Sequence, residues 1–364
     1  FAEAGKRYRE WARLADSQTT DERIKTITTI HSYFHNPDKE TVLTPWRVVN
    51  MHLSSTLGGY CFFNEAFDGP NLDDDGEETT KPRWVEQPEI SEAIFRQADP
   101  RSGKSPVRIL EINSKTGLYP LYMAYSLYRS IRSVWLTACT DPKHQDAKEG
   151  SALWDQILQE NIFVICNTPM AARITERTLR GFRDVSGMHI RNIKLIEEAT
   201  QDREKLVKKL NSEQFWFANK GSQEMKFSAI VGNPPYQEMA TGAASGSDPL
   251  YHKFIDVGMS ICEKGTLIHP GRFLFRAGKT PREWNEKILS DKHIKVTNYY
   301  PNSRDIFPSV DIKGGIAVTF WDKKQNFNPI GVFVVHAWLS SILSKVKTNT
   351  FKSFMELVYS RTVY

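Results

Sequence analysis

The chain has 364 residues, 40% of them apolar, with 48 Lys and Arg against 43 Asp and Glu. That is long enough and apolar enough for a substantial core, and the net charge of +5 favours nucleic acid only mildly. Four scattered cysteines (Cys61, Cys139, Cys166, Cys262) without Cys-x-x-Cys spacing argue against a disulfide scaffold and a zinc site, and for a reducing, cytoplasmic compartment; no metal is expected. No apolar run reaches membrane length, and Phe1 in place of an initiator Met reads as an internal piece of a longer polypeptide.

Taken in order, residues 6 to 34 carry a helical pattern (Tyr8, Trp11, Leu14, Ile24, Ile27, Ile30), which assigns residues 1–40 to a helical connector. Asn71 to Lys81 is an acidic, solvated loop. A strand from Val107 runs through Gly117 into an apolar helix in which Tyr119, Tyr122, Tyr125 and Tyr128 read as core or helix-face residues. After a polar break at Asp141 to Gly150 come a helix at Ala152 to Glu160 and a strand ending at Cys166. Thr168-Pro169 then suits an N-cap with Pro at the first helical position. Asn192 to Glu198 reads as the next strand, Thr241 to Ser247 as a mobile Gly- and Ser-rich loop, and Trp338 to Tyr359 as a helical stretch. Six basic residues between Arg173 and Lys194 fit a solvated helix face or a phosphate track. Strands alternating with helices imply an α/β fold with a doubly wound, mostly parallel sheet.

The most informative segment is Ala229-Ile230-Val231-Gly232-Asn233-Pro234-Pro235-Tyr236, an apolar strand end followed by Asn-Pro-Pro-Tyr. Such a tetrapeptide also makes a good turn, but the end of a buried parallel strand is where open α/β sheets place ligands. An exocyclic base amine is a poor nucleophile, because its lone pair is delocalised into the ring. The Asn233 side-chain oxygen and the Pro234 carbonyl can each take one of its hydrogens, while Pro234 and Pro235 fix the backbone and Tyr236 offers a ring to an unstacked base.

Over residues 41 to 325 the chain resembles the gamma-class adenine-specific DNA methyltransferases of type IIG and type ISP-like restriction–modification polypeptides. Thr44-Pro45-Trp46-Arg47-Val48-Val49 resembles the upstream cofactor motif, Glu111 to Gly117 the main S-adenosylmethionine loop, and Gly265 to Leu274 the strand and loop after the tetrapeptide. Asp305-Ile306-Phe307-Pro308 resembles the last motif, and Phe307 takes the position that stacks on the extruded adenine. The resemblance implies a Rossmann-like fold and methyl transfer from S-adenosylmethionine to the N6 amine of a flipped adenine. It also implies cofactor contacts from Thr44, Pro45, Glu111, Asn113, Gly117, Cys166, Asn167 and Glu197, and base stacking by Tyr236 and Phe307. Partners implied are double-stranded DNA, an upstream nuclease or helicase region and a target-recognition region downstream of residues 326–364. Two positions depart from the family. Lys115 replaces a glycine, so it must turn away from the sulfonium; Cys166 replaces the acid that binds the ribose, so weak affinity is expected, improved by Cys166→Asp. Two alternatives stay open: a DNA-holding module impaired in cofactor binding, and a protein glutamine methyltransferase.

Overall fold

The computed structural model describes residues 2–36, 42–64, 66–67, 69, 71–79, 81–85, 94–95, 106–138, 147–217, 221, 223–237, 248–308 and 310–347. They form two units, Phe1–Ile330 and Gly331–Tyr364. The second contains the helix Ala337–Lys347, inside the stretch where the sequence suggests one.

In the first unit, α1 (Ala2–Ala15) and α2 (Thr20–Ser32) are followed by α3 (Trp46–Ser54) and a small antiparallel pair, β1 (Gly59–Cys61) and β2 (Arg83–Val85). Thr19 starts α2 with a capping box completed by Glu22. The main sheet begins with β3 (Ile109–Ser114), all of whose residues are buried, and α4 (Leu118–Ala138) follows it. Its tyrosines are core residues: Tyr119, Tyr122, Tyr125 and Tyr128 are all buried. Then come α5 (Ala147–Glu160), β4 (Ile162–Cys166), α6 (Pro169–Arg180) and β5 (His189–Asn192). The Thr168 side chain accepts from Ala171 N–H and Pro169 opens α6, as the sequence indicates.

One boundary differs from the sequence reading. Asn192 closes β5, and Leu195–Gln201 is a helix, α7. Glu197 and Glu198 sit in its first turn, where carboxylates favour the positive end of the helix dipole. Short helices α8 (Arg203–Leu210) and α9 (Glu213–Trp216) lead to β6 (Ala229–Gly232), and α10 (Tyr251–Ile261) to β7 (Lys264–Pro270). Helix α11 (Arg282–Ser290), β8 (Ile294–Tyr300) and β9 (Ile316–Asp322) complete the unit.

The seven strands lie in the order β5-β4-β3-β6-β7-β9-β8. Strands β3 to β7 run parallel, and β9 runs antiparallel between β7 and β8. The chain therefore winds outward in both directions from β3 and β6. Their C-terminal ends form the switch point at which doubly wound sheets bind ligands.

Candidate active site at the switch point

Two backbone irregularities shape this edge. Asn113 takes a left-handed φ of 68° where the β3–β4 register shifts, a conformation Asn tolerates better than most residues. Gly232 has φ 149°, and a Cβ there would stand 2.5 Å from the Ile112 carbonyl oxygen, so only glycine lets β6 pass β3 at this point. The turned Asn113 then donates through Nδ2 to the Asn233 carbonyl at 2.9 Å. From the other side, Asn233 Nδ2 donates to Thr44 Oγ1 at 3.0 Å. The Asn233 backbone is thus tied to β3 and its side chain to Thr44, just before α3, and its Oδ1 is buried with no hydrogen-bond partner. Burial raises the Tyr236 phenol above its ordinary value, moderated by Asn233.

Thr44, Pro45 and Trp46 also line a cavity of about 510 Å³, within the roughly 300–1,000 Å³ range of small-molecule sites. Its other walls are Thr116 and Leu118, Phe307 and Pro308, and the C-terminal half of α2 around His31. Phe307 is a core residue, 2% exposed, that borders this cavity. Residues far apart in the chain meet here: Thr44, Thr116 and Phe307 line the cavity, and Asn233 reaches it through its bond to Thr44.

The remaining predicted cofactor residues are placed less uniformly. Glu111 is buried on β3 with Oε2 unpartnered, and desolvation pushes its carboxyl up to about 8, with Ser114 and Lys115 opposing the shift. At neutral pH it is largely protonated. Lys115 turns away, donating to the Val42 carbonyl at 3.1 Å. Gly117 has φ 77°, and a Cβ there would stand 2.9 Å from the Thr175 Cα, so the glycine serves the packing of α6 on the loop after β3. Cys166 is fully buried with Sγ 3.9 Å from Thr175 Oγ1, and burial pushes the thiol up to about 12. Its side chain faces α6 and not the strand edge, since β4 ends with this residue pointing into the core. Asn167, next along, is half-buried and accepts weakly from Ile196 N–H at 3.5 Å. Glu197 is ion-paired with Lys194 at 3.0 Å and exposed in the first turn of α7, just after the end of β5.

The basic stretch from Arg173 to Lys194 is mostly committed within the molecule. Arg180 pairs with Glu176, Arg183 with Asp155 and Lys194 with Glu197; Arg191 donates to the Phe215 and Trp216 carbonyls, and Arg177 lies over Phe182. The loop Thr241 to Ser247 lies outside the described residues.

A buried polar chain under the site was not legible in the sequence. The Thr266 hydroxyl donates to the Thr319 carbonyl, so it must accept from His52 Nε2–H. His52 Nδ1 then accepts from the Tyr119 hydroxyl at 2.7 Å. On the far side the Pro270 carbonyl can only accept, so His269 carries its proton on Nδ1 and takes the Thr319 hydroxyl on Nε2. Both imidazoles are neutral, held down to about 3 and about 4 by burial. The pairs involved are as much as 214 positions apart, which no local pattern reports.

Residues 160–307 match the Eco57I restriction-modification methylase family. The matched span holds Asn233 to Tyr236 and Phe307, and leaves out Thr44 and Glu111, which the fold brings to the same edge. A curated relative, an "Uncharacterized adenine-specific methylase" of Mycoplasma pneumoniae, is 33% identical over 101 residues, 27% of this chain and 24% of that protein. The chain thus spans about a quarter of that relative. Among solved structures it is similar to a type I restriction-modification methyltransferase subunit from Streptococcus thermophilus (12% identity, 73% of this chain and 52% of that one, TM-score 0.35). It is also similar to the ATP-dependent Type ISP enzyme LlaBIII bound to DNA (12% identity, 85% and 21%, TM-score 0.45).

Proposed function

We propose that this chain transfers a methyl group from S-adenosylmethionine to the N6 amine of an adenine extruded from DNA, as the modification part of a restriction–modification polypeptide. The single observation that carries the reading is the clamped Asn233, whose amide nitrogen is held by Thr44 and whose buried oxygen is left without a partner. Such an oxygen suits an amine hydrogen, and its loop holds it in place before the base arrives. The Pro234 carbonyl would take the second hydrogen. The ring of Phe307, which borders the cavity, and that of Tyr236 would receive the base plane.

The donor set fits the cofactor in part. Thr44 and Pro45, with the loop from Asn113 to Gly117, would hold it, and Glu111 supplies an acceptor once ionised. The Cys166 thiol does not fit a ribose contact, since it is buried against Thr175, so that contact would fall to Asn167. When bound, S-adenosylmethionine supplies an electrophilic methyl group on a sulfonium. The methylated ammonium is strongly acidic and needs no dedicated base.

We keep residues 1–40 as connector, 41–325 as methyltransferase and 326–364 as an extension toward a target-recognition region; double-stranded DNA, and an upstream nuclease or helicase region, are the proposed partners. The buried Cys166 and protonated Glu111 favour a second reading, a DNA-holding module of low cofactor affinity; cofactor titration separates the two. The decisive experiment is transfer from methyl-labelled S-adenosylmethionine into DNA, followed by nucleoside analysis. Label in N6-methyladenine supports the proposal; label only in protein, or none, overturns it.

A further inference from the structure

The edge that holds Asn233 carries a second feature that methyl transfer itself does not use. Strand β7 ends at Pro270 on the same edge as β6, and β9 enters from that edge, so the turns after β7 and before β9 lie side by side. They are locked together. Gly271 N–H donates to the Gly315 carbonyl at 3.0 Å, Arg272 Nε to the Lys313 carbonyl at 3.0 Å, and the Tyr299 hydroxyl to the Gly314 carbonyl at 3.3 Å. A Cβ on Gly271 would stand 2.7 Å from the Tyr299 ring, so the glycine is what allows this approach.

On this rigid base stands Phe275, 42% exposed, braced edge-on by Tyr299 at 5.5 Å. Next to it Arg276 is exposed in the left-handed region, φ 50° and ψ 33°, a conformation a non-glycine residue keeps only where its surroundings impose it. Lys313 is exposed on the neighbouring turn. Among the described residues neither cation makes an ion pair within 4.0 Å, and Glu286, near Arg276, is held by Arg282 at 2.8 Å. An unneutralised pair of cations flanking an exposed ring is poorly explained by stability. It suits a polyanion that also presents flat apolar faces.

We propose that Phe275, Arg276 and Lys313 form a contact surface for DNA, with Arg276 and Lys313 on backbone phosphates and Phe275 against a base or sugar face. The proposal rests on the reading that the chain acts on DNA, and it names where on the chain the duplex lies: over the β7 and β9 turns, beside the Asn233 loop.

The test measures binding of a fluorescent duplex across a salt series for the chain and for the double variant Arg276→Gln/Lys313→Gln. Each phosphate contact adds about 0.9 to the slope of log K against log salt, so the double variant should lose about 1.8 from it. The control Lys292→Gln/Lys323→Gln makes the same charge change on exposed residues flanking the opposite ends of β8 and β9, and should keep the parent slope. Phe275→Ala should weaken binding severalfold at unchanged slope, and Phe275→Trp should restore it. An unaltered slope in the double variant, an equal loss in the control, or no salt-dependent binding by the parent overturns the surface. Failure of the functional reading looks different: the parent then binds DNA with a normal slope and transfers no methyl group.

Discussion

The Asn233 amide nitrogen donates to Thr44 Oγ1 across 3.0 Å and 189 positions of sequence, which turns the Asn233 oxygen into a fixed, unpartnered acceptor. Two segments that look unrelated along the chain thereby form one device. Asn233→Ala should abolish methyl transfer while cofactor binding and the far-ultraviolet spectrum stay unchanged. Thr44→Val should keep the fold and slow transfer by about tenfold to a hundredfold, since it removes the bond that orients the amide, worth roughly 1.4 to 3 kcal/mol. Parent-like rates in either variant would refute the clamp.

Cys166→Asp looks from the sequence like a repair of the ribose site. The fold reverses that expectation, because the side chain is fully buried beside Thr175 and Glu111. A carboxylate there would be desolvated next to another buried carboxyl. The variant should unfold several degrees lower and gain no cofactor affinity; calorimetry showing tighter binding at an unchanged melting temperature would contradict this.

Glu111 gives the chain a pH signature. Its carboxyl ionises at about 8 when folded against 4.5 for the ordinary group, so between those values the folded state holds a proton that the unfolded chain has lost. Stability must therefore fall as pH rises through that window, by at most roughly 1.4 kcal/mol per pH unit. Glu111→Gln should flatten this slope. Denaturant titrations of the two proteins at pH 5, 7 and 9 decide the matter.

The two buried imidazoles act in the opposite sense. His52 and His269 titrate at about 3 and about 4, below the ordinary 6.5, so the stability they allow is lost as pH falls below 6.5. Tyr119→Phe leaves His52 Nδ1 without its donor and should cost about 1–3 kcal/mol at pH 7. An unchanged denaturation midpoint would show that the Tyr119–His52 bond contributes nothing.

Phe307→Ala should cost about 3–5 kcal/mol as a core truncation and, in the folded fraction, slow methylation about tenfold or more. Suppressing the stability loss by cold assay separates the two effects. Normal base extrusion, read by 2-aminopurine fluorescence in the folded variant, would leave Phe307 a core residue only.

What the sequence determined by itself is local. Alternating strands and helices set the doubly wound fold, the Thr168-Pro169 cap started α6 where composition placed it, and Asn-Pro-Pro-Tyr marked the edge, because capping, turn chemistry and burial period are written in neighbouring residues. Where it misjudged, the deciding contacts were distant. Asn192 to Glu198 reads as strand by its apolar residues, yet two acids at a helix start and a strand partner that ends at Cys166 make it strand end and helix. The packing of Cys166 on Thr175, too, is not written in its neighbouring residues. The Asn233–Thr44 clamp, the Tyr119–His52–Thr266 chain and the seat of Phe275 on Tyr299 all join residues from different layers of the fold. They exist only once the sheet has wound outward from β3 and β6 and brought its C-terminal loops to one edge.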